Sequence, residues 1–182
     1  MARLPFPANS ITGVYGSMSD FRRKNKMQAH SGTDFAPAGS AKGKTAIPAV
    51  ADGTVKLVQW SNVLGWVLVQ SVYDVKKKKT AYVGYCHLKD EPTLKVGAKL
   101  KEGDSIGIMG TTGSASSGIH LHLTISWTVK GVFGATADKF DFVEWVKTQE
   151  APATKGATKE TPAKPKAAAA KKTCPTCGQE TK

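Results

Sequence analysis

The chain is poor in cysteine, with three in 182 residues, too few and too unevenly spaced for a disulfide framework. It has no apolar run of about 18 residues, so no membrane-spanning helix is expected. The N-terminus, Met1-Ala2-Arg3-Leu4-Pro5-Phe6-Pro7, lacks the apolar stretch of a secretory leader. Action outside a membrane would need another means of delivery. Helical periodicity is scarce. The Gly/Ser-rich stretch from Gly110 to Gly118 has neither the lysine nor the following helix that a phosphate-cradling loop requires. The body also offers no recognition helix and no platform of base-stacking aromatics, so nucleic acid is not an expected partner. Histidine is sparse as well: there are four, His30, His87, His120 and His122.

What is present suits one globular domain with an appendage. Hydrophobic residues make up 40% of the chain and four are Trp, enough for a core. Short strand-like runs separated by Gly-rich turns predict an all-β domain over residues 1–148. From 149 the composition shifts to Ala, Lys, Thr and Pro without aromatics, which predicts a flexible linker over 149–173. A tail over 174–182 carries Cys174-Pro175-Thr176-Cys177. This is the spacing of half a zinc knuckle, and no second pair follows. Either two tails share a metal across a dimer, or the pair has no defined role. The net charge is +12, of which residues 151–182 supply +5 from seven Lys against two Glu. Such a balance favours polyanions, including anionic cell-wall polymers.

In order along the chain, Ile11 to Arg23 reads as a short strand followed by a basic loop. His30-Ser31-Gly32-Thr33-Asp34 reads as an extended or turning segment that brings imidazole and carboxylate together, because Gly32 and Pro37 oppose a helix. Residues 46–58 read as a strand, an Asp52-Gly53 hairpin turn and a second strand. Trp66 to Val72, apolar on both faces, is an interior strand. Lys76 to Lys79 form a solvated hairpin tip, with a polyanion contact as the alternative. On the next strand, alternation places Cys86 with Tyr82 and Leu88, and His87 with Val83 and Tyr85 as a structural histidine. Phe140 to Val146 closes the domain with one helical turn.

The stretch Gly118-Ile119-His120-Leu121-His122-Leu123-Thr124-Ile125-Ser126 alternates strictly, as a strand with one buried face does. Ile119, Leu121, Leu123 and Ile125 share the core side, and His120 and His122 share the open side. Two imidazoles side by side can hold a metal, or can simply be solvated. Together with His30 and Asp34, one of this pair would complete two imidazoles and a carboxylate. That is the three-ligand pattern of a catalytic zinc site with an open position.

His30-x-x-x-Asp34, Tyr85-Cys86-His87-Leu88 and Gly118-Ile119-His120-Leu121-His122 resemble the three signatures of the lysostaphin-type (LytM-like) zinc metallo-endopeptidases of bacterial cell walls. Ala51-Asp52-Gly53-Thr54-Val55 and the stretch 106–113 resemble the family too, in the same order. The resemblance spans about residues 11–145. It implies an antiparallel β-sandwich or barrel-like core of the duplicated hybrid motif type, with zinc on the floor of a narrow groove. His30, Asp34 and His122 would be the zinc ligands, and His87 and His120 the catalytic histidines. Two departures stand out: Ile119 replaces a common Pro, and Leu123-Thr124 replaces a common Phe-Glu. Loss of that Glu removes an expected contact behind the metal ligands.

The implied activity is hydrolysis of peptidoglycan peptide bonds, in stems or cross-bridges, by a metal-activated water. The absence of a leader and the basic tail point to a phage lysin. It would be held in the host cytoplasm until released to the wall, or carried in the virion. The competing reading on the same fold is a non-catalytic basic protein that binds wall or nucleic acid.

Overall fold

The computed structural model describes residues 1–149, and the linker and Cys174/Cys177 expectations fall at 150–182, outside them. Seven strands form one antiparallel sheet: β1 (Ile11–Gly13), β2 (Thr33–Phe35), β4 (Gly53–Ser61), β5 (Gly65–Asp74), β6 (Lys79–Leu88), β7 (Lys99–Leu100) and β9 (Leu121–Ser126). Their order is β1-β2-β9-β6-β5-β4-β7. The remaining strands, β3 (Ala46–Pro48) and β8 (Ser105–Ile108), pair as a separate two-stranded ribbon. Three short α-helices, α1 (Asp20–Lys24), α2 (Val129–Phe133) and α3 (Phe142–Gln149), and three single 3-10 turns lie among the described residues. The antiparallel all-β architecture is as the sequence predicts.

Both sheet faces are covered. On one, Leu68, Val83, Tyr85, Leu121, Leu123 and Ile125 pack with Ile47 and Ile106 of the ribbon and with Phe142 and Trp145 of α3. On the other, Val132 of α2 packs against Val67, Val69 and Cys86. Burial of such aliphatic side chains contributes roughly 1.5–3 kcal/mol each. It accounts for the runs in β5 and β6 that are apolar on both sides. The fully buried Cys86 thiol is pushed up to about 12 by desolvation, so it serves as a small apolar filler.

Several local expectations are corrected. The Asp52-Gly53 pair is a corner between two sheets, because β3 pairs with β8 while β4 pairs with β5 and β7. Part of the basic loop is α1. The closing helix runs to Gln149, two turns instead of one. Its last side chain accepts a hydrogen bond from the Val75 amide at 2.9 Å. The histidine face of β9 is not open, since all six residues of that strand are buried. Lys76 to Lys79 are exposed at the β5–β6 tip, but the Nζ atoms of Lys77 and Lys79 lie 5.6 and 3.5 Å from the Trp127 ring centre.

The most consequential correction is at His87. Trp66 pairs with Leu88 and Leu68 with Tyr85, so Cys86 and His87 together oppose Val67 in a β-bulge. His87 takes a left-handed backbone, φ 59°, held by its N–H donating to the Leu64 carbonyl at 2.8 Å. Histidine tolerates this region better than most residues. The bulge resets the alternation. Leu88 joins Tyr85 in the main core, and the His87 ring leaves Val83 and Tyr85 for the histidines of the other face.

Candidate metal centre and catalytic groove

β2 lies beside β9 with Asp34 directly opposite His122, so both side chains point the same way. His30 precedes β2 and is tied at its backbone to Gly16 and Ser17. His122 Nδ1 lies 2.7 Å from Asp34 Oδ1 and 3.1 Å from His30 Nε2. His30 Nε2 lies 3.2 Å from Asp34 Oδ2. The ligand atoms of all three residues fall within 4.8 Å of one another. Gly32 admits this closeness, since a Cβ there would sit 2.8 Å from the His122 ring and 2.5 Å from the Leu123 carbonyl oxygen.

The two remaining histidines border the same cleft, of about 220 Å³. The His120 ring centre lies 4.8 Å from that of His87, and His120 Nε2 lies 3.7 Å from Asp34 Oδ1. All four histidines and Asp34 are thus brought together. His120 stands just before β9, in an isolated bridge with Gly110.

Main-chain carbonyls set the tautomers. His30 Nδ1 faces the Val14 oxygen at 3.0 Å, His87 Nδ1 the Thr112 oxygen at 2.7 Å and His120 Nδ1 the Gly118 oxygen at 2.8 Å. A carbonyl can only accept, so each Nδ1 carries the proton and each Nε2 presents a lone pair. These partners escaped the sequence reading because every residue has a carbonyl. Only the fold says which one faces a ring. Thr124, standing where the resemblance implies a Glu, is buried with its hydroxyl unpartnered among the described residues, so it does not replace the expected contact.

This donor set fits a cation. A proton on His122 Nδ1 can serve Asp34 Oδ1 and His30 Nε2, but the approach of His30 Nε2 to Asp34 Oδ2 then sets acceptor against acceptor. A divalent ion satisfies all three groups at once. Burial raises the Asp34 carboxyl, but its close contacts with His122 and His30 outweigh it and hold the group well below the usual carboxylate range. Burial lowers His122 and brings His87 to about 4, against the opposing pull of Asp34 and of the Thr112 carbonyl respectively. His122 and His87 are therefore neutral near pH 7, as a ligand and a proton acceptor must be.

Two imidazoles and a carboxylate on the floor of a cleft, with two more imidazoles alongside, define a metal-dependent hydrolase centre. The profile of peptidase family M23 matches residues 28–133, more than half of the chain, and the protein belongs to that family. It is a zinc metallo-endopeptidase. The structure of LytU is 28% identical, with 79% of this chain and 90% of that one covered and a TM-score of 0.57. A catalytic-domain mutant of the prophage-encoded M23 protein EnpA from Enterococcus faecalis is 27% identical, covering 71% and 88% at TM-score 0.55. The catalytic domain of the antimicrobial peptidase lysostaphin from Staphylococcus simulans is 23% identical, covering 74% and 89% at TM-score 0.55, and shares the fold.

Proposed function

We propose that this peptidase hydrolyses peptide bonds of bacterial peptidoglycan, in stems or cross-bridges. The observation that carries the reading is the convergence of His30, Asp34 and His122 within 4.8 Å in the cleft that His87 and His120 border. His30, Asp34 and His122 are the residues that would hold the zinc. The chemistry that zinc supplies at such a centre is Lewis acidity, polarising a carbonyl and lowering the pKa of water to about 7.

The protein's own groups manage the protons. His120 keeps some solvent access, and its Nε2 lies 3.7 Å from Asp34 Oδ1. It takes the proton from the attacking water and returns one to the leaving amine. His87 is more deeply buried and its protonated form is disfavoured. With Nδ1–H given to Thr112, it stays neutral and presents Nε2 as an acceptor that orients the water or the amine N–H.

The prophage origin of EnpA supports a role in phage-mediated lysis, with the enzyme held in the host cytoplasm until release or carried in the virion. The basic tail supports adhesion to anionic wall polymers. The test is incubation with purified crosslinked walls from Gram-positive and Gram-negative cells. New free amino groups are expected, at a rate that His120→Ala lowers by about 10²–10⁴-fold. No release from any wall would overturn the proposal.

A further inference from the structure

We infer that Arg22 anchors a substrate carboxylate beside the scissile bond, so that the preferred substrate is an acidic peptide and not a neutral oligoglycine. The inference rests on the peptidase reading above. The loop that carries Arg22 leaves and returns at one place: Gly16 N–H donates to the His30 carbonyl at 2.8 Å and His30 N–H to the Ser17 carbonyl at 2.9 Å. Its far part is pinned as well, with Met27 N–H donating to the Arg22 carbonyl at 2.9 Å and Arg22 Nη1 to the Gln28 carbonyl at 3.0 Å. Arg22 therefore borders the same cleft as His30, Asp34 and His87 in a fixed orientation.

Its charge has no counterpart there. Among the described residues no carboxylate pairs with Arg22, and Asp34 is the one acidic group that lines the cleft. Asp34 belongs to the metal site, where a bound divalent ion would more than offset it. The rest of the wall, including Met27, Val63, Ala115 and Thr136, is uncharged. Arg22 is partly exposed, and beyond its side-chain hydrogen bond to Gln28 its guanidinium keeps further donors in the fork that matches a carboxylate. A glycine bridge has no charged side group to place against it, whereas a stem-type peptide carries free carboxylates.

The experiment compares three synthetic peptides with the zinc-loaded full chain: one with a free carboxylate near the scissile amide, its carboxamide analogue, and pentaglycine. Wild type is expected to favour the carboxylate over the carboxamide by about 10- to 100-fold in kcat/KM, mostly through KM. Arg22→Ala should erase that preference and Arg22→Lys should keep part of it, with zinc content confirming the fold of each variant. Equal cleavage of acid and amide by wild type, a preference that survives in Arg22→Ala, or pentaglycine as the best substrate would each overturn the anchor while leaving the peptidase reading intact. Failure to cleave any peptide or any crosslinked wall would instead remove the peptidase reading, and the anchor with it.

Discussion

His30 Nε2 and His122 Nδ1 meet at 3.1 Å although 92 positions separate them in the chain. The contact exists because β2 and β9 are neighbours in the sheet, and because Gly32 leaves room for the His122 ring. Both nitrogens look toward the Asp34 carboxylate. Zinc is thus expected to bind a site whose geometry the polypeptide has already assembled.

Metal content checks this directly. With Cys174→Ser and Cys177→Ser in the background to silence the tail thiols, the full chain should retain a single zinc after dialysis. His122→Ala should retain none and lose all measurable peptidase activity, while circular dichroism stays that of a β protein. Equal zinc in both would show that the ion sits elsewhere.

Acid should begin to weaken the metal-free fold at a pH above the usual carboxylate range. His87 is buried neutral, and its folded pKa of about 4 lies below the unfolded value of about 6.5. The stability it contributes is complete above pH 6.5 or so, and is lost as pH falls toward 4, because the unfolded chain gains the proton first. Urea midpoints in chelator should therefore decline over that window, by on the order of 1–3 kcal/mol in unfolding free energy. The decline should be shallower for His87→Asn, a replacement chosen because Asn tolerates the left-handed backbone. Parallel pH profiles for the two proteins would show that His87 is not the titrating group.

Gly65→Ala is expected to damage stability and catalysis together. Gly65 has φ 68°, and a Cβ there would lie 2.1 Å from Thr112 Oγ1 and 2.4 Å from the Thr112 carbonyl carbon. The same Thr112 carbonyl holds His87 Nδ1, and its hydroxyl donates to the Leu88 carbonyl at 2.6 Å. Strain and displacement should cost roughly 1–3 kcal/mol of stability. The Tm should fall and kcat should fall with it, at unchanged zinc content. Loss of Tm with full kcat would separate the glycine from the histidine it is argued to support.

Deleting residues 151–182 removes seven Lys and two Glu. Hydrolysis of a small soluble peptide should be unaffected. Lysis of whole cells at low ionic strength should weaken several-fold, and the difference should fade as salt screens the attraction. Equal lysis by both forms at every salt concentration would deny the tail an adhesive role.

The parts of this structure legible in the sequence are those encoded by periodicity. The alternation around His120 and His122 marks a strand, and the run from Trp66 to Val72 marks one buried on both sides. Where the backbone departs from regularity, the sequence is silent. Nothing in Tyr85-Cys86-His87-Leu88 announces a bulge, so strict alternation sends His87 into the core beside Tyr85, whereas one extra residue turns it into the groove. Asp52-Gly53 has the chemistry of a hairpin turn, but which strands pair is decided by tertiary contacts: Ile47 and Ile106 meet across the ribbon and join one core. Part of the open face expected for β9, its Ser126 end, is covered by α2, whose five residues are too few for a periodic signal.

That three imidazoles are aimed by main-chain oxygens bears on how this groove can drift over generations. Val14, Thr112 and Gly118 each contribute a carbonyl, an atom that every amino acid possesses. Replacing their side chains need not erase the acceptor, provided the backbone path is kept. The loops that bear them can therefore vary in character, and so in which peptides they admit, while the protons on the rings below stay where they are.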